Sequence, residues 1–179
     1  MPYWGMAHAM GPNPNSRYSG MPDDPKGEGF KAIKKAMDRI ENASDMEAKL
    51  IQALHTLYDK DTYPDAKRRD QAYLAAMRKL NRDYPNDPDI AALYASSYMS
   101  IQRWNYWGDQ GEPISETLAV AEALEHIMSK DLSHPGVLHL HIHLIEASAE
   151  PERALVAADN LEKTIPIVGH VVHMPSHIL

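Results

Sequence analysis

Histidine is the residue type that could carry chemistry in this chain, and it is unevenly placed. Seven of the ten histidines lie between His134 and His177, in the strings HPGVLHLHIHLIEAS (134–148) and GHVVHMPSHIL (169–179). His139, His143 and Glu146 are spaced i, i+4, i+7. At roughly 100° per residue they fall within about 60° of one another on one helical stripe. Imidazole nitrogen and carboxylate oxygen both ligate metals, so such a stripe offers several donors at once. His141 lies nearly opposite and takes no site role. His170, His173 and His177 bracket Met174-Pro175, where a loop is expected to run into a new helix with Pro at its first position. Two histidine-bearing elements with one helix between them could close on a common ion.

The candidate metal set is therefore His139, His143, Glu146, His170, His173 and His177. With no cysteine in the chain, thiolate sites are excluded. An imidazole-rich site suits a transition-metal ion, copper or zinc first, with iron and nickel behind. Five imidazoles and a carboxylate exceed the four ligands of tetrahedral zinc. That leaves one ion with spare groups orienting the ligands, or two ions per chain. Glu146 could also act as a general base beside a metal-bound water. The competing reading is a packed helix whose histidines hydrogen-bond to neighbouring side chains, on a non-catalytic scaffold that binds a protein partner or its own copies. No nucleophile elbow, phosphate loop, dinucleotide fingerprint or H-E-x-x-H string occurs, so no reaction is assigned.

Composition narrows the partners. A net charge of −7 disfavours nucleic acid, which needs a basic stripe. From Asp131 onward the acidic residues outnumber Arg153 and Lys163, which favours a cation locally. No run of eighteen apolar residues exists, so no membrane span is expected. The opening residues lack the basic and apolar regions of a signal peptide, and cytoplasmic and periplasmic or extracellular locations both stay open.

The elements that must position the histidines read as helices throughout. PYWGMAHAM has helical spacing and stops at Gly11-Pro12; residues 11–27 read as loop. Apolar residues at three-to-four spacing predict helices over 28–40, with Phe30, Ile33, Met37 and Ile40 inward, and over 45–58, where Ser44 and Glu47 form a capping box. A third covers 65–83. Asp87-Pro88 opens the next, 103–113 is an aromatic loop expected to fold back onto the helices, and 114–130 is amphipathic. The histidine helix starts at Ser133-His134-Pro135. Residues 150–164 follow, with Ala154, Leu155, Ala158 and Leu161 inward. His55 and His126 are expected in solvent, His8 on an ordinary helix face and Met174 in packing. Residues 80–99 align on 127–146 at an offset of 47 without gaps, Pro88 on Pro135. The expected fold is all-α, a tetratricopeptide-like α-solenoid of antiparallel helix pairs in a single domain over 1–179.

The strings YWGMAHAMGPN (3–13), YPNDPDIAALYASSYM (84–99), the W-x-Y-W loop (104–107), HPGVLHLHIHLIEAS, PERALVAADNL (151–161) and GHVVHMPSHI (169–178) resemble a bacterial family of tetratricopeptide-repeat-like proteins. Its members show a YWG…GPN helix, an HPG…H…IH..EAS helix and a GHxxHMPSHI segment in this order. The resemblance covers most of the chain from Tyr63 onward and the first fifteen residues. It matches His134, His139, His143, Glu146, His170, His173 and His177, whereas His141 departs from a position that is more often aromatic in the family. It implies the repeat fold; the metal site comes from the residues and not from the family. Chains of this kind are expected to continue past residue 179, so a fragment, or an open-ended array completed by neighbouring copies, is anticipated.

Overall fold

The computed structural model describes every residue but Asp23 and Leu179, and every side chain among these but that of Tyr18. The described residues form helices and no strand, with one isolated bridge between Trp107 and Pro113. Ten α-helices run in order: α1 Pro2–Met10, α2 Pro14–Ser19, α3 Glu28–Met37, α4 Asp45–His55, α5 Ala66–Asp83, α6 Pro88–Gln102, α7 Thr117–Met128, α8 Pro135–Ile145, α9 Leu155–Thr164 and α10 Gly169–His173. Helix α1 packs on α3 and α4, and from α4 onward each long helix packs on the next.

Local chemistry explains where the helices start. The first N–H groups of a helix have no partner within it and need an acceptor. Ser44 and Glu47 supply a reciprocal capping box for α4, Asp65 caps α5 and Asp87 caps α6 with Pro88 behind it. In α8 the cap is an imidazole: His134 Nδ1 accepts from the Val137 amide at 3.1 Å, while its Nε2 meets Asp89 Oδ1 on α6 at 3.1 Å. The starts of α6 and α8 thus touch each other.

Helix α8 is apolar on most of its circumference because α6, α7 and α9 surround it. Val137, Leu138, Ile142, Leu144 and Ile145 are fully buried. Fully burying a side chain of this size contributes about 1.5–3 kcal/mol, so the placement of α8 is strongly determined. The 103–113 segment folds back as expected. Tyr106 is buried, and Thr117 Oγ1, beneath it, lies 2.6 Å from the Tyr98 hydroxyl and 2.8 Å from the Tyr106 carbonyl. Trp107 Nε1 donates to the Leu144 carbonyl at 2.6 Å, satisfying one of the free acceptors at the end of α8.

Three expectations are corrected. Residues 14–19 are helical rather than loop, because Asn13 and Ser16 form a capping box with Pro14 at the first turn. Phe30 is 46% exposed rather than inward, since Ala32, Ile33 and Ala36 supply the face that α1 and α4 cover. Leu155 is exposed because a 3-10 turn over Pro151–Ala154 precedes α9 and rotates its start; Ala154, Ala157, Ala158 and Leu161 carry the contact.

Gly111 holds the aromatic segment against the end of α8. Its φ is +78°, and a Cβ there would lie 2.6 Å from Ala149 Cβ and 2.9 Å from the Ala149 nitrogen. Both the left-handed backbone and the close approach exclude a side chain. Gly111→Ala is expected to lower unfolding free energy by about 2–3 kcal/mol, against about 1 kcal/mol for Gly20→Ala. Gly20 also has positive φ, but nothing lies within 4 Å of its Cβ position. Urea denaturation measures both; equal losses would contradict the steric role of Gly111.

Candidate metal centre

The two histidine segments come together. His139 and His143 stand on one stripe of α8, and Glu146 occupies the C-cap position just past its end. The second segment is helical earlier than expected: α10 holds His170 and His173, and a 3-10 turn over Met174–His177 carries His177. Two stripes run along it. Val171 and Met174 are buried in the core, with Ile178 half-buried beside them. His170, His173 and His177, each one residue earlier, form the neighbouring stripe and face α8. Burial of Val171 and Met174 therefore aims three imidazoles at α8.

Five imidazoles form a closed ring of contacts. Centroid separations are 4.8 Å from His139 to His143, 5.3 Å from His143 to His177 and 5.2 Å from His177 to His173. The circuit returns at 4.9 Å from His173 to His170 and 4.9 Å from His170 to His139. Two pairs of ring nitrogens face each other, His139 and His170 through Nε2 atoms at 3.1 Å, and His173 and His177 through Nε2 atoms at 3.2 Å. Glu146 bridges the segments, with Oε1 at 3.2 Å from His143 Nδ1 and Oε2 at 2.5 Å from His177 Nδ1. Two three-residue groups have donor atoms within 4.8 Å of one another: His139, His143 and His170, and His143, Glu146 and His177. His173 reaches the set through its two histidine neighbours.

The electrostatics favour the neutral form of His139 and His170. Burial, then the neighbouring imidazoles with His143 first, lowers the His139 pKa to about 4. His170 is lowered by the same causes, burial first. For Glu146, burial alone would raise the carboxyl, but the hydrogen bonds and charges of His143 and His177 outweigh it and the net shift is downward. An ionised Glu146 together with uncharged imidazoles at His139 and His170 suits a cation.

The remaining histidines are elsewhere. His141 is fully buried on the far side of α8, with Nε2 at 3.1 Å from Glu125 Oε1. Arg153 donates to that same carboxylate oxygen at 2.8 Å. His8 stacks on Trp4 at 5.0 Å. His126, exposed as expected, bonds Asn86 rather than its helix neighbour Glu122, and Met174 is buried in the core. Sequence reasoning missed Trp104, whose ring meets His143 edge-on at 4.8 Å. Arg103 and Trp104 have φ of +51° and +71°, a costly pair for residues with side chains, and this reversal lays Trp104 over the site. Its place at the head of the aromatic W-x-Y-W loop hid that role.

The lowered pKa of His139 fixes a pH dependence for the metal-free protein. His139 titrates near 4 when folded and near 6.5 when unfolded, so the unfolded chain takes up protons first as pH falls. The stability it confers is present above about 6.5 and is lost progressively toward 4. Unfolding free energy in a chelator is expected to drop by about 1–2 kcal/mol from pH 7 to pH 5, and His139→Gln is expected to flatten part of that slope. A slope identical in the variant would contradict the assignment. Against known proteins, the chain matches no family model, no curated sequence and no solved structure, which leaves its chemistry to be read from these atoms.

Proposed function

We propose that this protein is a metal-binding helical-repeat protein whose His139, His143, Glu146, His170, His173 and His177 hold one or two transition-metal ions, copper or zinc first. The observation that carries the reading is the convergence of five imidazoles from two segments with their nitrogens turned toward one another. Two ring nitrogens that face each other at about 3 Å share either one ring's N–H proton or a cation. Adjacent nitrogens around tetrahedral zinc, at about 2.0–2.1 Å from the ion, stand about 3.3–3.4 Å apart. The 3.1 Å separation of His139 and His170 is within a small adjustment of that spacing.

Glu146 serves this site both as a carboxylate within ligand reach of His143 and His177 and as an orienting group for those two rings. Its oxygens engage Nδ1 of His143 and of His177, which places the N–H of each ring on the carboxylate and leaves Nε2 as the free donor. A carboxylate behind a metal-ligating histidine fixes its tautomer and raises its basicity. His139, His143 and His170 form the first three-imidazole group, and His173 with His177 forms a second pair that completes it or takes a second ion. The solenoid arrangement and the tetratricopeptide-like family are part of the proposal. They are supported by the sequential packing of α5 to α9 and by the matched caps at Asp87 and His134.

Metal analysis of protein purified without a polyhistidine tag, after equilibration with zinc or copper and removal of excess, is expected to give between one and two equivalents. His143→Ala is expected to lose at least one equivalent, and His126→Ala none. Glu146→Gln is expected to keep the stoichiometry while weakening affinity by about 10–100-fold. Trace metal in the parent protein, or equal loss in His126→Ala, would overturn the reading and leave the histidines as structural groups.

A further inference from the structure

A second site lies at the other end of the molecule, and it is built around an arginine. Arg69, near the start of α5, is only 7% exposed. Its Nη1 donates to the carbonyls of Tyr63 and Pro64 at 2.8 and 2.9 Å, its Nε is buried with no partner, and no carboxylate among the described residues pairs with it. The other nearly buried arginine, Arg17, has Asp70 at 2.5 Å. A buried cation held by neutral carbonyls alone is costly, because its charge is taken out of water without compensation. Nε is sealed from solvent, so Nη2 is the nitrogen these carbonyls leave over for an anionic guest.

Arg69 lines a cavity of about 540 Å³ between α3, the end of α4 and the start of α5. That volume lies within the range of small-molecule sites, about 300–1,000 Å³. The apolar wall comes from Phe30, Met37, Leu57 and Tyr58. Phe30 is the chain's single phenylalanine and stands 46% exposed here. Its exposure and the unpaired guanidinium are separate observations on one cavity. The acidic liners Asp24 and Asp59 are occupied with backbone amides of residues 29, 30 and 62, so they do not compensate Arg69. With Asp61 they offset Lys34, Lys60 and Arg69 on the same lining, so the wall carries no net charge to hold a doubly charged guest. We infer that this cavity binds a small monocarboxylate with an aromatic or aliphatic body, its carboxylate on Nη2 of Arg69 and its body against Phe30 and Met37.

Titration of the full chain with phenylacetate, followed by NMR of the arginine Nε–H and the methionine methyl groups, tests this. Saturable shifts at Arg69 and Met37 in the low-millimolar range are expected. Phenylacetamide, the same shape without charge, is expected to bind at least about tenfold more weakly. Arg69→Lys retains a cation for the two carbonyls, but its one nitrogen is taken by them; it is expected to fold, by circular dichroism, and to lose about tenfold in affinity. Phe30→Ala, a change at an exposed residue, is expected to weaken binding severalfold without altering the fold, and His143→Ala to leave it unchanged. No saturable shift with phenylacetate, equal binding of the amide, stronger binding of phenylphosphate, or insensitivity to Phe30→Ala would each overturn the assignment.

Discussion

One carboxylate ties together two stretches of chain separated by 31 residues. Glu146, at the end of α8, holds His143 from its own helix and His177 from the segment that returns over it. The rest of the site depends on that bridge being correctly placed. Helix α8 is clamped on its apolar faces by α6, α7 and α9. Its end is fixed by Trp107 on the Leu144 carbonyl and by Gly111 against Ala149. The returning segment is pinned by Val171 and Met174. With both sides set by packing, the carboxylate meets its two imidazoles with little freedom left to lose, which is the condition for an arrangement that is preorganised rather than assembled on binding.

The same placement sets the electrostatics. Imidazoles crowded at about 5 Å repel one another when charged, and partial burial removes the water that would screen them. His139 and His170 are thereby held toward the neutral form, and their facing nitrogens at 3.1 Å share either one ring's N–H or a cation. His141 shows the contrast within one helix. Its single polar contact is Glu125, itself shared with Arg153, and no second imidazole is near. That is a buried structural histidine.

Much of this was legible in the sequence. The i, i+4, i+7 spacing of His139, His143 and Glu146 requires only that 135–145 be helical, and the apolar residues and the His134-Pro135 start make it so. The exclusion of His141 follows from the same angle. The second segment was legible in residue type but not in conformation: His170 and His173 lie in a helical turn, because Val171 and Met174 need spacing of three to bury together. Local periodicity could not place Trp104 on His143, since that contact is made by a backbone reversal with two positive φ values and no glycine to announce it. Phe30 failed for a related reason. Its periodicity points inward, but smaller neighbours already fill the interface, and the ring turns to a cavity instead. Arg69 gave no signal at all, because an arginine on an amphipathic helix reads as solvated until its neighbours are known.

The most direct test of the central claim is X-ray absorption at the metal edge of the protein loaded with one equivalent of zinc. The expected spectrum has a first shell of nitrogen and oxygen at about 2.0–2.1 Å, with the multiple-scattering pattern of at least three imidazoles, reduced by one in His143→Ala. A spectrum with fewer than two imidazoles, or one indistinguishable from hydrated zinc, would contradict it.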